Sequence, residues 1–456
     1  MTFSLPLTPF EEYALRDGTA SHPLEFFYRL TFDGALDAAA VATAADEAFR
    51  RHPLLAARID ERPGCTPRFV AAGAGPTVVG IDGTEGLPPI PALDTARGPL
   101  TRLLLVERPD AMTDILAQFH HAACDGLGAL AFLADFCAVL DATLRGDRLP
   151  ADTVDPLLLR GRGRYGLDSW KLLRSLPAQA RGLEGVWKFL RNRPVQLAAV
   201  ATDEQPSRTH RLQRASAEYS GDDVRGLRRA ATAAGVSLNE LAAAALLEAI
   251  HDTLPSSTWS HARDRVRLSI PINMRRPADR RMPAANVVSM VFLDRARAEI
   301  AAPTLAASLH DEMQLIKRLG LGMTFLFTLA AARCLPGGIA GLVADRSTAA
   351  TALFTNLGRI FSRSTEHRGG CVRAGPCRLV AVEPLAPLRR GTALAMAAVE
   401  YAGTLVFTLR TDPHALDAAT TTALRDAFTR RLRHCLPAGP TDMPHARHAA
   451  IAGASA

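Results

Sequence analysis

Hydrophobic positions along this chain follow two periods in turn. The stretch Phe26-Phe27-Tyr28-Arg29-Leu30-Thr31-Phe32 has the aromatic composition of a strand, and residues 37–51 read as an Ala-rich helix capped near Asp37. Proline at 53 stops that helix. Farther on, 115–119 reads as a short strand, 127–144 as a helix, and 266–271 and 287–292 as strands. Ser237-Leu238-Asn239-Glu240 is a capping box, with serine at the cap and glutamate three residues on, opening a buried helix over 241–250. Near the C-terminus a strand at 405–409 precedes Ala415-Leu416-Asp417-Ala418-Ala419 and a helix to Leu432, echoing Ala35-Leu36-Asp37-Ala38-Ala39 and its helix. Two similar lobes would give this echo, and so would two unrelated Ala-rich capped helices. Strands and helices alternate, so the class is α/β or α+β.

Length adds that 456 residues exceed one ordinary core, which predicts two lobes of about 200 residues each. Residues 193–211, with Pro194 and Pro206, are the candidate linker, and the Ala-rich last dozen residues read as a disordered tail. The formal net charge is +7, but only Lys171, Lys188 and Lys317 of the 53 basic residues are lysines, and the arginines are interleaved with acids. That bias points to a GC-rich genome and not to a nucleic-acid surface, while a modest positive field still favours acidic partners. Seven cysteines without metal-type spacing argue against a disulfide framework. The first 17 residues lack a secretory pattern, and the apolar run at 319–329 is half of what spans a bilayer. A cytoplasmic protein is expected.

The densest candidate chemistry is Phe119-His120-His121-Ala122-Ala123-Cys124-Asp125-Gly126. Adjacent histidines at a strand end point to opposite faces, so one can face a cavity while the other is structural. Asp125 is placed to cap the following helix, and Gly126 leaves room for a close ligand. A histidine on such a corner suits proton abstraction from a hydroxyl or amine. A pair of satisfied histidines beside an ordinary helix cap would give the same residues.

This stretch resembles the H-H-x-x-x-D-G motif of the chloramphenicol-acetyltransferase-like superfamily, which includes peptide-synthetase condensation domains, polyketide-associated acyltransferases and wax ester synthases. Other segments agree in chain order. Arg51-His52-Pro53-Leu54-Leu55 resembles the family's R-H-P-x-L segment, Ser237-Leu238-Asn239-Glu240 its second-lobe helix start, and Ile270-Pro271-Ile272-Asn273-Met274-Arg275 its V-P-V-N-x-R strand. Asn286-Val287-Val288-Ser289 is similar to G-N-x-V-S, and Phe354-Thr355-Asn356-Leu357-Gly358 to S-N-x-G. Two departures are that Ala285 stands where the family has glycine, and that the D-F-G-W-G motif of the plant branch is missing.

The resemblance implies two chloramphenicol-acetyltransferase-like lobes forming a pseudo-dimer with a tunnel between them, at 1–195 and 196–443, with 444–456 as the tail. It implies an acyltransferase moving an acyl group from a coenzyme A or carrier-protein thioester to a hydroxyl acceptor, or to an amine, in natural-product or lipid biosynthesis. His121 would be the base, with His120, Asp125 and Gly126 completing the catalytic motif and Arg275 pairing with Asp125. Asn286, Ser289 and Asn356 would border the tunnel. No bound cofactor and no metal are expected; the thioester is a co-substrate. Expected partners are a small-molecule acceptor and an acidic carrier protein. A non-catalytic carrier-binding relative, or an enzyme using His121 for epimerisation or cyclisation, are the alternatives.

Other signals point elsewhere or stay open. Cys124 lies close to His121, but a small helix-approach residue is the simpler reading. Gly161-Arg162-Gly163-Arg164-Tyr165-Gly166 matches G-x-G-x-x-G formally without the strand that a dinucleotide site needs, and reads as a basic loop. Residues 169–193 interleave Trp170, Leu173, Trp187 and Leu190 with lysine and arginine, as an interfacial helix pair in peripheral membrane contact, a carrier-docking face or a solvated interlobe helix would. The run 319–329 reads as a core helix or an acyl-tunnel lining.

Overall fold

The computed structural model describes residues 3–436 apart from 74, 76–77, 84–86, 168, 198–208, 345–349, 363–366 and 369. The expected tail at 444–456 lies outside the described residues, as does most of the candidate linker. Two seven-stranded mixed sheets carry the described chain. The first runs, edge to edge, His367–Arg368, Cys371–Ala374, Cys377–Leu385, Glu25–Phe32, Thr113–His120, Thr101–Glu107 and Val78–Asp82. The second runs Arg214–Tyr219, Thr404–Thr411, Leu394–Tyr401, Ala352–Arg359, Asp264–Asn273 and Val288–Arg295, with Arg193–Pro194 added beside Asp264–Asn273.

Each sheet buries one face under helices. The Ala38–Arg51 and Gly126–Arg145 helices cover the first core, and Gly221–Ala233, Leu238–Thr253, Leu305–Leu319 and Ala418–His434 the second. The echo seen in sequence is structural: Asp37 accepts the Ala40 N–H at 2.7 Å and Asp417 the Thr420 N–H at 2.7 Å, each capping a helix after a strand. The Ser237 capping box forms as read, with its N–H held by the Glu240 carboxylate at 2.7 Å.

Three expectations are corrected. The lobes are not contiguous at 195/196, because 367–385 joins the first sheet, where Leu385 pairs with Phe27 and Leu379 with Phe32. The run 319–329 is split, since Gly320, left-handed at φ 63°, ends Leu305–Leu319 before Gly322–Arg333 begins. Residues 169–191 form one helix around Pro177 and not a pair. Among the described residues, the helix most like a membrane span by length and composition is Gly126–Arg145, and two thirds of it is buried in the molecule.

Candidate active site

Strand pairing sets the stage. Glu25 lies opposite His120 and Phe26 opposite Phe119, so alternate residues face opposite sides of the first sheet. On the core side, Phe26 stacks on Phe119 at 5.3 Å between centroids, and the His121 ring meets Phe26 at 5.3 Å and Phe10 at 5.8 Å. His120 faces the other way, toward Glu25. Its Nδ1 accepts the Ala122 N–H at 3.1 Å, and burial pushes its imidazole down to about 4. His120 is therefore neutral at pH 7 and part of the corner's scaffold.

The corner backbone is tied at nearly every group. The N–H of His120 donates to Leu100 O, that of His121 to Leu24 O and that of Ala123 to His120 O, all at 2.9 Å. Asn286 Nδ2 donates to the carbonyls of His121 and Ala122, both at 2.9 Å. Asp125 does both things its sequence context allowed. Its carboxylate caps Gly128 N–H at 2.8 Å and accepts Val287 N–H at 2.8 Å, while Arg275 binds it through two nitrogens at 2.9 Å each. Arg275 also donates to Ala285 O at 2.9 Å, which fastens the 285–287 segment to the same carboxylate.

Against this rigid frame the His121 ring stands out. Its Nδ1 is buried without a hydrogen bond of good geometry among the described residues, with Asn286 as its polar neighbour. Burial pushes the imidazole below its ordinary pKa, while its own backbone, the Asp125 carboxylate, the Asn286 side chain and Asp17 pull the other way. The result is an uncharged ring in an aromatic setting, chemically able to accept a proton from a bound group.

The remaining sequence-predicted residues are placed as follows. Gly126 sits where a Cβ would come 2.9 Å from Leu357 and 3.2 Å from the Tyr28 hydroxyl, which itself donates to Gly126 O at 3.0 Å. Asn286 is fully buried and holds the corner through Nδ2, while its Oδ1 has no hydrogen-bond partner among the described residues. Ser289 is also fully buried and donates to Gly322 O, tying Val288–Arg295 to the start of helix Gly322–Arg333. Asn356 binds Asn239 Oδ1 at 2.6 Å and accepts the Gly358 N–H at 2.8 Å, fixing the turn that carries Leu357 over Gly126.

Sequence reasoning missed three supports. His52 is wholly buried, accepts Ala284 N–H on Nδ1 at 2.8 Å and contacts Asp135 through Nε2 at 3.2 Å. The R-H-P stretch had drawn notice without a role; its histidine steadies the segment that Arg275 and Asn286 use. Helix Pro9–Asp17 supplies Phe10 to the His121 ring, and its Glu11 is gripped by Arg162 at 2.7 and 2.8 Å. The glycine-rich loop is thus an anchor, with Arg162 buried and not a solvated basic residue. Cys124 is fully buried, and burial pushes its thiol well above the ordinary range, so it offers no thiolate. Among the described residues no cluster of three His, Cys, Asp or Glu side chains is arranged to hold a metal.

No family model matches the chain, and no curated protein matches it. Solved structures do. The first condensation domain of the calcium-dependent antibiotic synthetase, in complex with a substrate analogue, superposes with a TM-score of 0.65 at 16% identity, over 94% of this chain and 95% of that one. The starter condensation domain of rhizomide synthetase, as a doubly substituted mutant in complex with C8-CoA, gives 0.66 at 13% identity over 95% and 94%. The epimerization domain from the third module of tyrocidine synthetase B gives 0.62 at 18% identity over 95% and 97%. The chain has the condensation-domain fold, as the histidine motif and its accompanying segments implied.

Proposed function

We propose that this protein is an acyltransferase that moves an acyl group from a coenzyme A or carrier-protein thioester to a hydroxyl, or alternatively an amine, with His121 as general base. The observation that carries the reading is a neutral, half-buried His121 ring, pressed between Phe10 and Phe26, on a corner whose backbone is otherwise closely tied. A structural histidine would be satisfied by the protein, as His120 and His52 are.

In this reaction the imidazole takes the acceptor's proton as its oxygen or nitrogen attacks the thioester carbonyl carbon. The tetrahedral adduct collapses with cleavage of the C–S bond, and the imidazolium returns the proton to the leaving thiolate. General-base assistance supplies roughly 10²–10⁴ in rate, and positioning of the two substrates supplies the remainder. The fold supports the donor class: the rhizomide synthetase domain was solved with C8-CoA, and with Leu-SNAC beside it.

A second reading uses the same base at carbon, since the chain shares its fold with an epimerization domain over almost its full length. The two readings differ in product. Incubation with acyl-CoA and acyl-carrier thioesters plus mixed alcohols and amines should release free thiol in an acceptor-dependent manner, and His121→Ala should lower that release by roughly 10²–10⁴. Solvent-deuterium incorporation without thiol release would instead select epimerisation. Equal background thiol release in both proteins would reject acyl transfer, and absence of His121-dependent deuterium incorporation as well would reject both.

A further inference from the structure

A cavity of about 240 Å³ that the acyl-transfer reading does not use is lined by His210, whose Nε2 meets the Glu25 carboxylate. Its lining joins the segment before Glu25–Phe32 to the end of Thr404–Thr411 and includes His22, His210, Arg211, Arg410, Asp412 and His414.

The unusual group is Arg410. The residue is 3% exposed, yet among the described residues no carboxylate is hydrogen-bonded to it. Nη1 donates to the carbonyls of Glu25 at 3.2 Å and Ala386 at 3.0 Å, Nη2 approaches His210 Nδ1 at 3.3 Å, the guanidinium lies 5.2 Å over the Phe27 ring, and Nε has no hydrogen-bond partner among the described residues. Burial pushes the guanidinium down to about 10, so it remains charged at neutral pH. The Glu25 and Asp412 carboxylates act on its charge from a distance, but their hydrogen bonds go to other groups. Glu25 accepts from His210 at 2.8 Å and from Gln118, while Asp412 is held by His22 Nε2 at 2.9 Å and by the His414 N–H at 3.0 Å. Buried guanidinium groups are normally matched by carboxylate or phosphate, and this one faces a cavity whose second cation, Arg211, is exposed.

We propose that this cavity is an oxyanion-binding site for a phosphate group, with Arg410 as its buried cation, Arg211 at its rim, and the imidazoles of His22, His210 and His414 as additional polar lining. The volume exceeds that of one phosphate, so a phosphomonoester with a small organic part fits the class. The site is independent of the acyl-transfer reading and stands or falls without it.

Titration calorimetry of the full chain with inorganic phosphate, in chloride buffer of matched ionic strength, tests it. Saturable binding is expected, weakened by about tenfold or more in Arg410→Met and by several-fold in Arg211→Ala, as loss of charge-assisted hydrogen bonds predicts. Arg211→Ala, being at the surface, should keep the wild-type Tm in phosphate-free buffer and so decides the matter if Arg410→Met fails to fold. Absence of phosphate-specific binding, or wild-type affinity in a folded variant, would overturn the site. Competition by coenzyme A would assign the phosphate to a thioester donor; indifference to it would assign a free oxyanion. Both outcomes support the site.

Discussion

At the scale of single residues, the two adjacent histidines differ because the strand turns them into different surroundings. His121 acts as a base only while unprotonated, and burial holds its pKa below the usual histidine value. The acidic limb of kcat/KM should therefore rise with pH to a midpoint below about 6.5 and be flat through neutrality. A midpoint above about 7 would contradict this assignment. For His120 the consequence falls on stability. Its folded pKa of about 4 lies below the unfolded value near 6.5, so the unfolded chain binds the extra proton between those pH values. Stability is complete above about pH 6.5 and is lost as pH falls toward 4, by on the order of 3 kcal/mol. His120→Asn, whose Oδ1 can accept the Ala122 N–H in place of Nδ1, should flatten urea-derived stability over that window. An unchanged slope would show that another group dominates. Arg275 acts through Asp125: Arg275→Met should lower kcat more than it raises KM, because it loosens the corner without touching the acceptor.

Elements come next, and here close approach decides. Helix Gly126–Arg145 docks so tightly on the 284–287 segment that a Cβ at Gly128 would lie 2.8 Å from Ala285 O and 3.0 Å from Ala285 N, both backbone atoms. At Gly126 the nearest atom is instead a movable Leu357 methyl. Gly128→Ala should thus cost about 1–3 kcal/mol by thermal denaturation and Gly126→Ala distinctly less, and the reverse order would be wrong for this packing. Much of this level was readable from sequence. Asp37, Asp417 and the Ser237 box announced their helices, because caps are local chemistry. Elements without a local signature escaped. Leu394–Tyr401 is buried at every position, so it shows no alternation, and its alanines resemble a helix. Helix Pro9–Asp17 is the exception, since it carries a local signature in the Thr8–Glu11 capping box and was still overlooked, although its Phe10 reaches the His121 ring. Among the site residues, Asp125 and Arg275 were legible as motif members, whereas the burial of Asn286 and Ser289 followed from sheet packing that no local pattern encodes.

At the scale of the whole molecule, the two sheets are joined by exchange of chain. Residues 377–385 leave the second half of the sequence to pair along Glu25–Phe32, then the chain returns as Leu394–Tyr401 in the second sheet. Polar ties reinforce the crossing. Arg389 binds Asp17 at 2.6 Å, His22 binds Asp412 at 2.9 Å, and Glu383 accepts from Arg214 at 2.8 Å while lying 3.6 Å from Arg29. Without 367–385, Glu25–Phe32 would become an unpaired edge, exposing backbone groups and the apolar side chains that Leu379, Val382 and Leu385 now cover. Two linked folding units would melt separately; units that share a strand must melt together. The full chain should therefore unfold in one calorimetric transition, with calorimetric and van't Hoff enthalpies in agreement. Residues 1–195 expressed alone should aggregate, and co-expression with a segment spanning 365–390 should recover soluble material with native-like β content. Two resolved transitions, or a soluble and cooperatively folded 1–195 fragment, would show that the crossing strand decorates the first lobe without completing it. One transition together with rescue would mean that the His121 corner, whose frame draws Asn286 and Arg275 from the other half of the sequence, forms only when the whole molecule does.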